Sequence, residues 1–130
     1  MKLRVRFAET DQMGVAHHSA YIIWFEAARV EWLRARGLDY RRLEDAGISL
    51  AVSAVNVQYL KGSRFDDELF IAANLTELRS RRVRYHYEVY RDNERIAVGD
   101  SIHTPVDADG RALRLPKMWL EVLRPHVAIL

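Results

Sequence analysis

The chain has 130 residues and a mass of 15.2 kDa, and 49% of its residues are hydrophobic, enough for one sizeable core and too little for two ordinary domains, so a single domain over residues 1–130 is expected. Twenty Lys and Arg against 18 Asp and Glu give a formal charge of +2, too even for a nucleic-acid footprint, and the absence of Cys excludes disulfides, a thiolate nucleophile and thiolate-bound zinc. No basic segment leads into an apolar run and no apolar stretch nears the roughly 20 residues that span a bilayer, so a soluble cytoplasmic protein with no nucleic-acid or membrane partner is expected.

Residues 2–8, KLRVRFA, alternate polar and apolar with Leu3, Val5 and Phe7 on one side, and predict a short first strand. Ser19 to Arg36 contain no Pro or Gly and stop at Gly37, a fitting residue just past a helix end; this is the main helix. Its first half sets Tyr21, Ile22, Ile23, Trp24 and Phe25 in succession, which puts apolar bulk on every side and predicts enclosure. Its second half brings Arg29, Glu31, Arg34 and Arg36 beside Trp32 and Leu33 and is expected to emerge toward solvent, with Glu26 and Arg29 as an i,i+3 ion pair.

After a short helical turn at DYRRLEDAG (39–47), the period becomes two. Val55, Val57 and Tyr59 alternate with Asn56 and Gln58; Leu69, Ile71, Ala73 and Leu75 follow; then Val83, Tyr85, Tyr87 and Val89; then Ile96, Val98, Ile102, Thr104 and Val106. The connectors KGSRFDD, ELRSRR and RDNE are of hairpin length, so four long strands should pair antiparallel in chain order. PKMWLEVLRP predicts a last short helix between Pro116 and Pro125. An α+β architecture follows, a five-stranded antiparallel sheet twisted around one long central helix, which alone among simple layers gives an apolar-all-round helix its cover.

The chemistry gathers where the first strand meets the helix, at Glu9-Thr10-Asp11, Gly14, His17 and His18. An Asp between strand and helix is, by itself, a turn or cap residue. Beside the first turn of a helix, whose N–H groups are unpaired and carry partial positive charge, it gains a second use: a carboxylate that attacks a carbonyl or activates water, facing N–H donors that hold the oxyanion. The backbone N–H of His18 is such a donor. The adjacent His17 and His18 point about 100° apart and lack a His-x3-His spacing, so no metal is expected, nor any cofactor. Tyr21 should line the core with its hydroxyl toward the site, and His86 and His103 read as structural groups. A second cluster, Arg79, Arg81, Arg82 and Arg84, crowds one tight hairpin and is either a solvated turn or a phosphate-binding edge.

These residues resemble the 4-hydroxybenzoyl-CoA thioesterase family of hot-dog acyl-CoA thioesterases. The pattern reads Phe7, Glu9-Thr10-Asp11, Gly14-Val15, His18, Tyr21, Trp24-Phe25-Glu26 and Arg29, continues at Phe65-Asp66-Asp67 and Leu69, and ends with Val106-Asp107, Gly110-Arg111 and Leu115-Pro116. It departs at Lys61-Gly62-Ser63, where many members carry Pro-Ala, and at His17, where an aromatic often precedes the His. The resemblance implies the hot-dog fold and hydrolysis of an acyl-CoA to free acid and coenzyme A. Asp11 would be nucleophile or general base, and the His18 N–H the oxyanion donor. Gly14, Val15, Tyr21, Asn56, Gln58 and Tyr59 would meet the substrate, and Arg79, Arg81 and Arg82 the coenzyme phosphates. It further implies a homodimer assembling to a homotetramer, in which a second protomer closes the channel and the strand at 52–60 comes opposite Asp11. Acyl-thioester hydration or dehydration and a non-catalytic acyl-CoA binding module are the competing readings. RNA binding fits least, because the Arg hairpin offers bases few aromatics.

Overall fold

The computed structural model describes residues 1–129. Five strands, β1 (Lys2–Arg4), β2 (Ser49–Tyr59), β3 (Glu68–Arg79), β4 (Arg82–Arg91) and β5 (Glu94–Val106), form one antiparallel sheet in the order β1-β3-β4-β5-β2. Helix α1 (His18–Ala35) lies across one face, with the short helices α2 (Tyr40–Asp45) and α3 (Lys117–Leu123) at the margins. Irregularities in register at Val52/Ala54, Leu75/Glu77 and Val89/Tyr90 bend the strands around the helix. None of the described helices is long and apolar enough to cross a membrane.

The inward residues of each strand alternate as their sequence does. Leu69, Ile71, Leu75, Val83, Tyr85, Tyr87 and Val89 are buried beneath Tyr21, Trp24, Phe25, Ala28 and Leu33 of the helix. Phe25 stacks on Tyr87 with ring centroids 4.3 Å apart. Gly99 lets the helix approach: a β-carbon there would stand 2.3 Å from the Asn56 carbonyl and 2.7 Å from the Phe25 ring.

Four expectations are corrected. The first strand ends at Arg4, and Phe7 opens a 3-10 turn over Phe7–Glu9 because the Glu9 carboxylate accepts the Arg6 N–H at 2.7 Å and turns the chain. The first half of α1 is not enclosed on all sides, since Ile22 is 42% and Ile23 54% exposed. Arg29 does not emerge. It is buried and donates to the Tyr87 hydroxyl at 3.1 Å, while Glu26 stands exposed and the expected Glu26–Arg29 pair is not formed. Finally, β2 does not form a hairpin with β3. It pairs with β5 at the far edge, and residues 60–67 cross the end of the sheet to reach β3.

The buried polar groups form a directed chain. Arg29 donates to the Tyr87 oxygen, Tyr87 and Ser101 are 2.6 Å apart, and Ser101 lies 2.7 Å from His103 Nε2. Because Arg29 can only donate, Tyr87 passes its proton to Ser101 and Ser101 to Nε2, which leaves the proton of a neutral His103 on Nδ1. Nδ1 makes no well-formed hydrogen bond, so His103 is less fully satisfied than its sequence position implied. On the opposite face, His86 sits between Asp100 and Glu88 at 3.2 and 3.4 Å.

Candidate active site

Two loops build the entrance to α1. Residues 9–17 descend from the 3-10 turn, and residues 60–67 cross beneath them. They are laced together by Ala16 N–H to the Ser63 carbonyl at 2.7 Å and a Val15–Arg64 bridge, and the first loop is closed on itself by His17 N–H to the Glu9 carbonyl at 2.7 Å. Gly62 allows the approach, since a β-carbon there would lie 3.1 Å from Val15. Glu9 anchors the helix side: its carboxylate accepts the Trp24 indole N–H at 2.7 Å. Burial pushes its carboxyl up, but the Arg6 N–H, the Trp24 N–H and the Arg6 guanidinium outweigh it and hold it below the usual carboxylate range.

Asp11 begins a tight turn. Its backbone exchanges bonds with Gly14 and Val15, and its Oδ1 accepts the N–H groups of Met13 at 2.9 Å and Val15 at 3.2 Å. Gly14 occupies the left-handed region, φ +77°, where other residues are strained. Among the described residues the cap role is met by Oδ1 alone, and Oδ2 has no partner on an exposed side chain. At the helix start, His17 caps with Nδ1 accepting from Ser19 N–H, and among the described residues the His18 N–H donates to no backbone carbonyl. The His18 carbonyl accepts the Tyr59 hydroxyl at 2.6 Å, which ties the first turn of α1 to the end of edge strand β2. Tyr21 lies edge to face against Tyr59 and bonds the fully buried Ser63 at 2.8 Å. Burial raises the pKa of both phenols, so each stays protonated.

These groups surround a hollow of about 360 Å³ lined by Asp11, Val15, Ala16, His18, Tyr21, Tyr59, Leu60, Lys61 and Gly62. A larger hollow, about 520 Å³, lies toward the other end of α1 around Trp32 and Ala72–Asn74, without a carboxylate set against a helix N-terminus. Of the residues expected at the site, Asp11, Val15, His18, Tyr21 and Tyr59 line the smaller hollow and Gly14 shapes its turn.

The others lie elsewhere in this chain. Asn56 and Gln58 are exposed, and Gln58, next to the inward Tyr59, projects from the other face of β2. Arg79, Arg81 and Arg82 lie at the opposite end of the sheet: Arg91, whose guanidinium reaches the Gly62 carbonyl beside the hollow, is nine residues along β4 from Arg82, roughly 30 Å. One chain therefore does not bring its Arg hairpin to its own Asp11. Ser63 and the Glu9–Trp24 bond escape sequence reasoning, because a Ser in a crossover and a carboxylate on an indole become visible only when the chain segments meet.

The sequence pattern of the thioesterase-like superfamily matches residues 5–123. Among solved structures, a hypothetical protein from Thermus thermophilus is 36% identical, with 97% of each chain covered and a TM-score of 0.92. A DHNA-CoA thioesterase from Staphylococcus aureus is 27% identical over 100% of this chain and 95% of its own, with a TM-score of 0.91. The acyl-CoA thioester hydrolase YbgC of Escherichia coli O6:H1 is 32% identical over 77 residues, 59% of this chain and 58% of that protein.

Proposed function

This chain belongs to the thioesterase-like superfamily, and from that premise we propose that the hollow at the start of α1 hydrolyses an acyl-CoA thioester to a free acid and coenzyme A. The protein is an acyl-CoA thioester hydrolase of hot-dog fold. The observation that carries the site assignment is the pairing of a free carboxylate oxygen, Asp11 Oδ2, with an unpaired helix N–H at His18 across one hollow. The thioester oxygen accepts from the His18 N–H, and negative charge developing there is held by the helix N-terminus. Asp11 either attacks the carbonyl carbon to give an anhydride that water then opens, or takes a proton from water as it attacks. On either route the C–S bond breaks, and the proton from water goes to the coenzyme A thiolate. Among the described residues Asp11 is the one carboxylate lining the hollow, which favours hydrolysis over hydration, a reaction that calls on a second acid. Single turnover in ¹⁸O-water separates the two routes, because label entering the Asp11 carboxylate marks the anhydride.

The assembly is a homodimer, two of which join as a tetramer. Support comes from β2, an eleven-residue strand at the sheet edge with all but Leu50 and Val57 exposed and with Val52 and Val55 bare, an edge that invites pairing. Antiparallel pairing of two β2 strands lays the Arg79–Arg82 end of one sheet beside the Asp11 end of the other, three strand spacings, about 14 Å, from the shared edge. In that arrangement Arg79, Arg81 and Arg82 serve the coenzyme phosphates at the other protomer's site, while Asn56 and Gln58, in register with Asp100 and Val98 on the face turned away from α1, stay outside the cleft. An acyl-CoA substrate is consistent with a cytoplasmic location, and the aromatic walls at Tyr21 and Tyr59 support the 4-hydroxybenzoyl-CoA thioesterase branch. Release of free thiol across aromatic and fatty acyl-CoA panels tests the activity: turnover of at least one class is expected, and no release from any would end the reading.

A further inference from the structure

Three large apolar side chains on the segments that lead into the helix entrance stand in solvent: Phe7 is 77% exposed, Met13 79% and Phe65 55%. Backbone bonds hold the two rings in place. Thr10 bonds the Phe7 carbonyl through both its N–H and its hydroxyl, and Phe65 is flanked by the Asp67 carboxylate on Arg64 N–H and by Asp66 N–H on the Val5 carbonyl. The rings meet edge to face with centroids 5.8 Å apart. A fixed aromatic pair in water gains little from folding, and such a patch marks a binding surface. Arg64 precedes Phe65 in the chain and reaches the wall of the hollow. Its guanidinium lies against Gly14, 3.5 Å from where a β-carbon would be, and its backbone bridges to Val15 of the hollow wall. Among the described residues it has no carboxylate at ion-pair distance, whereas its neighbours are committed: Arg6 to Glu9, Arg4 to Glu68, Lys61 to Glu94 and Arg91 to Asp67.

We propose that Phe7, Phe65 and Arg64 bind the nucleotide end of coenzyme A, the adenine stacked on the rings and the diphosphate on the guanidinium. The proposal rests on the acyl-CoA reading of the hollow. Adenine offers a flat face that stacks on aromatic side chains, and a phosphate is matched by a free guanidinium fork. Arg64 bridges to Val15 of the hollow wall and has Phe65 as its chain neighbour, so the guanidinium and the rings adjoin the hollow as the nucleotide adjoins the thioester-bearing arm. This patch comes from the same chain as Asp11 and takes the diphosphate, which leaves the 3′-phosphate to the hairpin arginines of the second protomer.

The test uses Phe7→Ala/Phe65→Ala together and Arg64→Glu separately, with melting temperature as the folding check. Calorimetric titration with coenzyme A and with adenosine 3′,5′-bisphosphate is set beside KM for an acyl-CoA and for the matching acyl-pantetheine, which lacks the nucleotide. Each variant is expected to bind coenzyme A at least tenfold more weakly and to raise the ratio of the two KM values at least tenfold. The bisphosphate should compete with acyl-CoA in the wild type. Unchanged coenzyme A affinity in both variants overturns the proposal. So does an equal rise in both KM values, or dissociation of the oligomer with the KM ratio unchanged, which would make the rings an interface between copies. A wild type that binds coenzyme A through the patch yet hydrolyses no acyl-CoA would sink the hydrolase reading and leave the patch standing.

Discussion

Lowering the pH should destabilise this protein through one histidine. His103 is fully buried, and burial first, the Arg29 charge second, push its pKa down to about 4, with the Leu50 backbone offsetting part of the shift. The unfolded side chain titrates near its ordinary 6.5, so in the intervening window the unfolded state binds a proton that the native state refuses. Stability from this group is whole above pH 6.5 and is lost as pH falls toward 4. Between pH 7 and pH 4.5 the loss comes to roughly 2.5 kcal/mol. The hydrogen-bond directions give the reason: Nε2 already accepts from Ser101, whose hydroxyl would have to reverse, together with Tyr87, against an Arg29 that can only donate. Urea unfolding at half-unit steps from pH 7 to 4.5 measures it, with His103→Gln as control, since its amide oxygen accepts from Ser101 and cannot titrate. The wild type should lose about 2.5 kcal/mol more than the variant over that range. Parallel pH profiles would refute the assignment.

Gly99→Ala should cost about 3 kcal/mol or prevent folding, because its β-carbon meets the Asn56 backbone oxygen at 2.3 Å and β2 must lift from β5; a melting curve within a degree or two of wild type would contradict the packing. Tyr59→Phe removes the hydroxyl that holds the His18 carbonyl and should lower kcat about tenfold with little change in KM, read by steady-state kinetics; an unchanged kcat would leave Tyr59 as a wall only. Charge reversal at Arg81 and Arg82, placed in one protomer of a mixed dimer whose other protomer carries Asp11→Asn, should leave the surviving Asp11 facing an intact hairpin and retain near-normal KM for acyl-CoA. The same reversal on the protomer opposite the intact Asp11 should raise KM by about tenfold, and equal values in the two arrangements would mean the hairpin is a charged turn.

Much of this was legible because it is local. The period-two runs at 69–75 and 83–89 gave strands with the inward residues as read, and Asp11, Gly14 and His18 fall together because a turn and a helix start need only their own neighbours. What failed depended on partners distant in sequence. Phe7 alternates correctly for a strand, but Glu9 turns the chain with bonds to Arg6 and Trp24. Arg29 looks like a surface residue until Tyr87 is set beneath it, 58 residues away. The connector 61–67 has the length of a hairpin loop, yet it crosses the end of the sheet, and that single difference sends β2 to the far edge. The hairpin arginines suffer likewise, since their distance from Asp11 is a property of strand length and direction.

The central claim is that Asp11 carries the hydrolysis, and Asp11→Asn tests it with the turn preserved, because the amide oxygen can still accept from Met13 and Val15 N–H. Rapid-mixing measurement of free thiol from enzyme in excess over acyl-CoA reads the chemical step directly. The account predicts a rate lowered by at least about a thousandfold with acyl-CoA binding retained, since an amide neither attacks the carbonyl nor takes a proton. A variant that releases thiol at most of the wild-type rate would remove Asp11 from the mechanism.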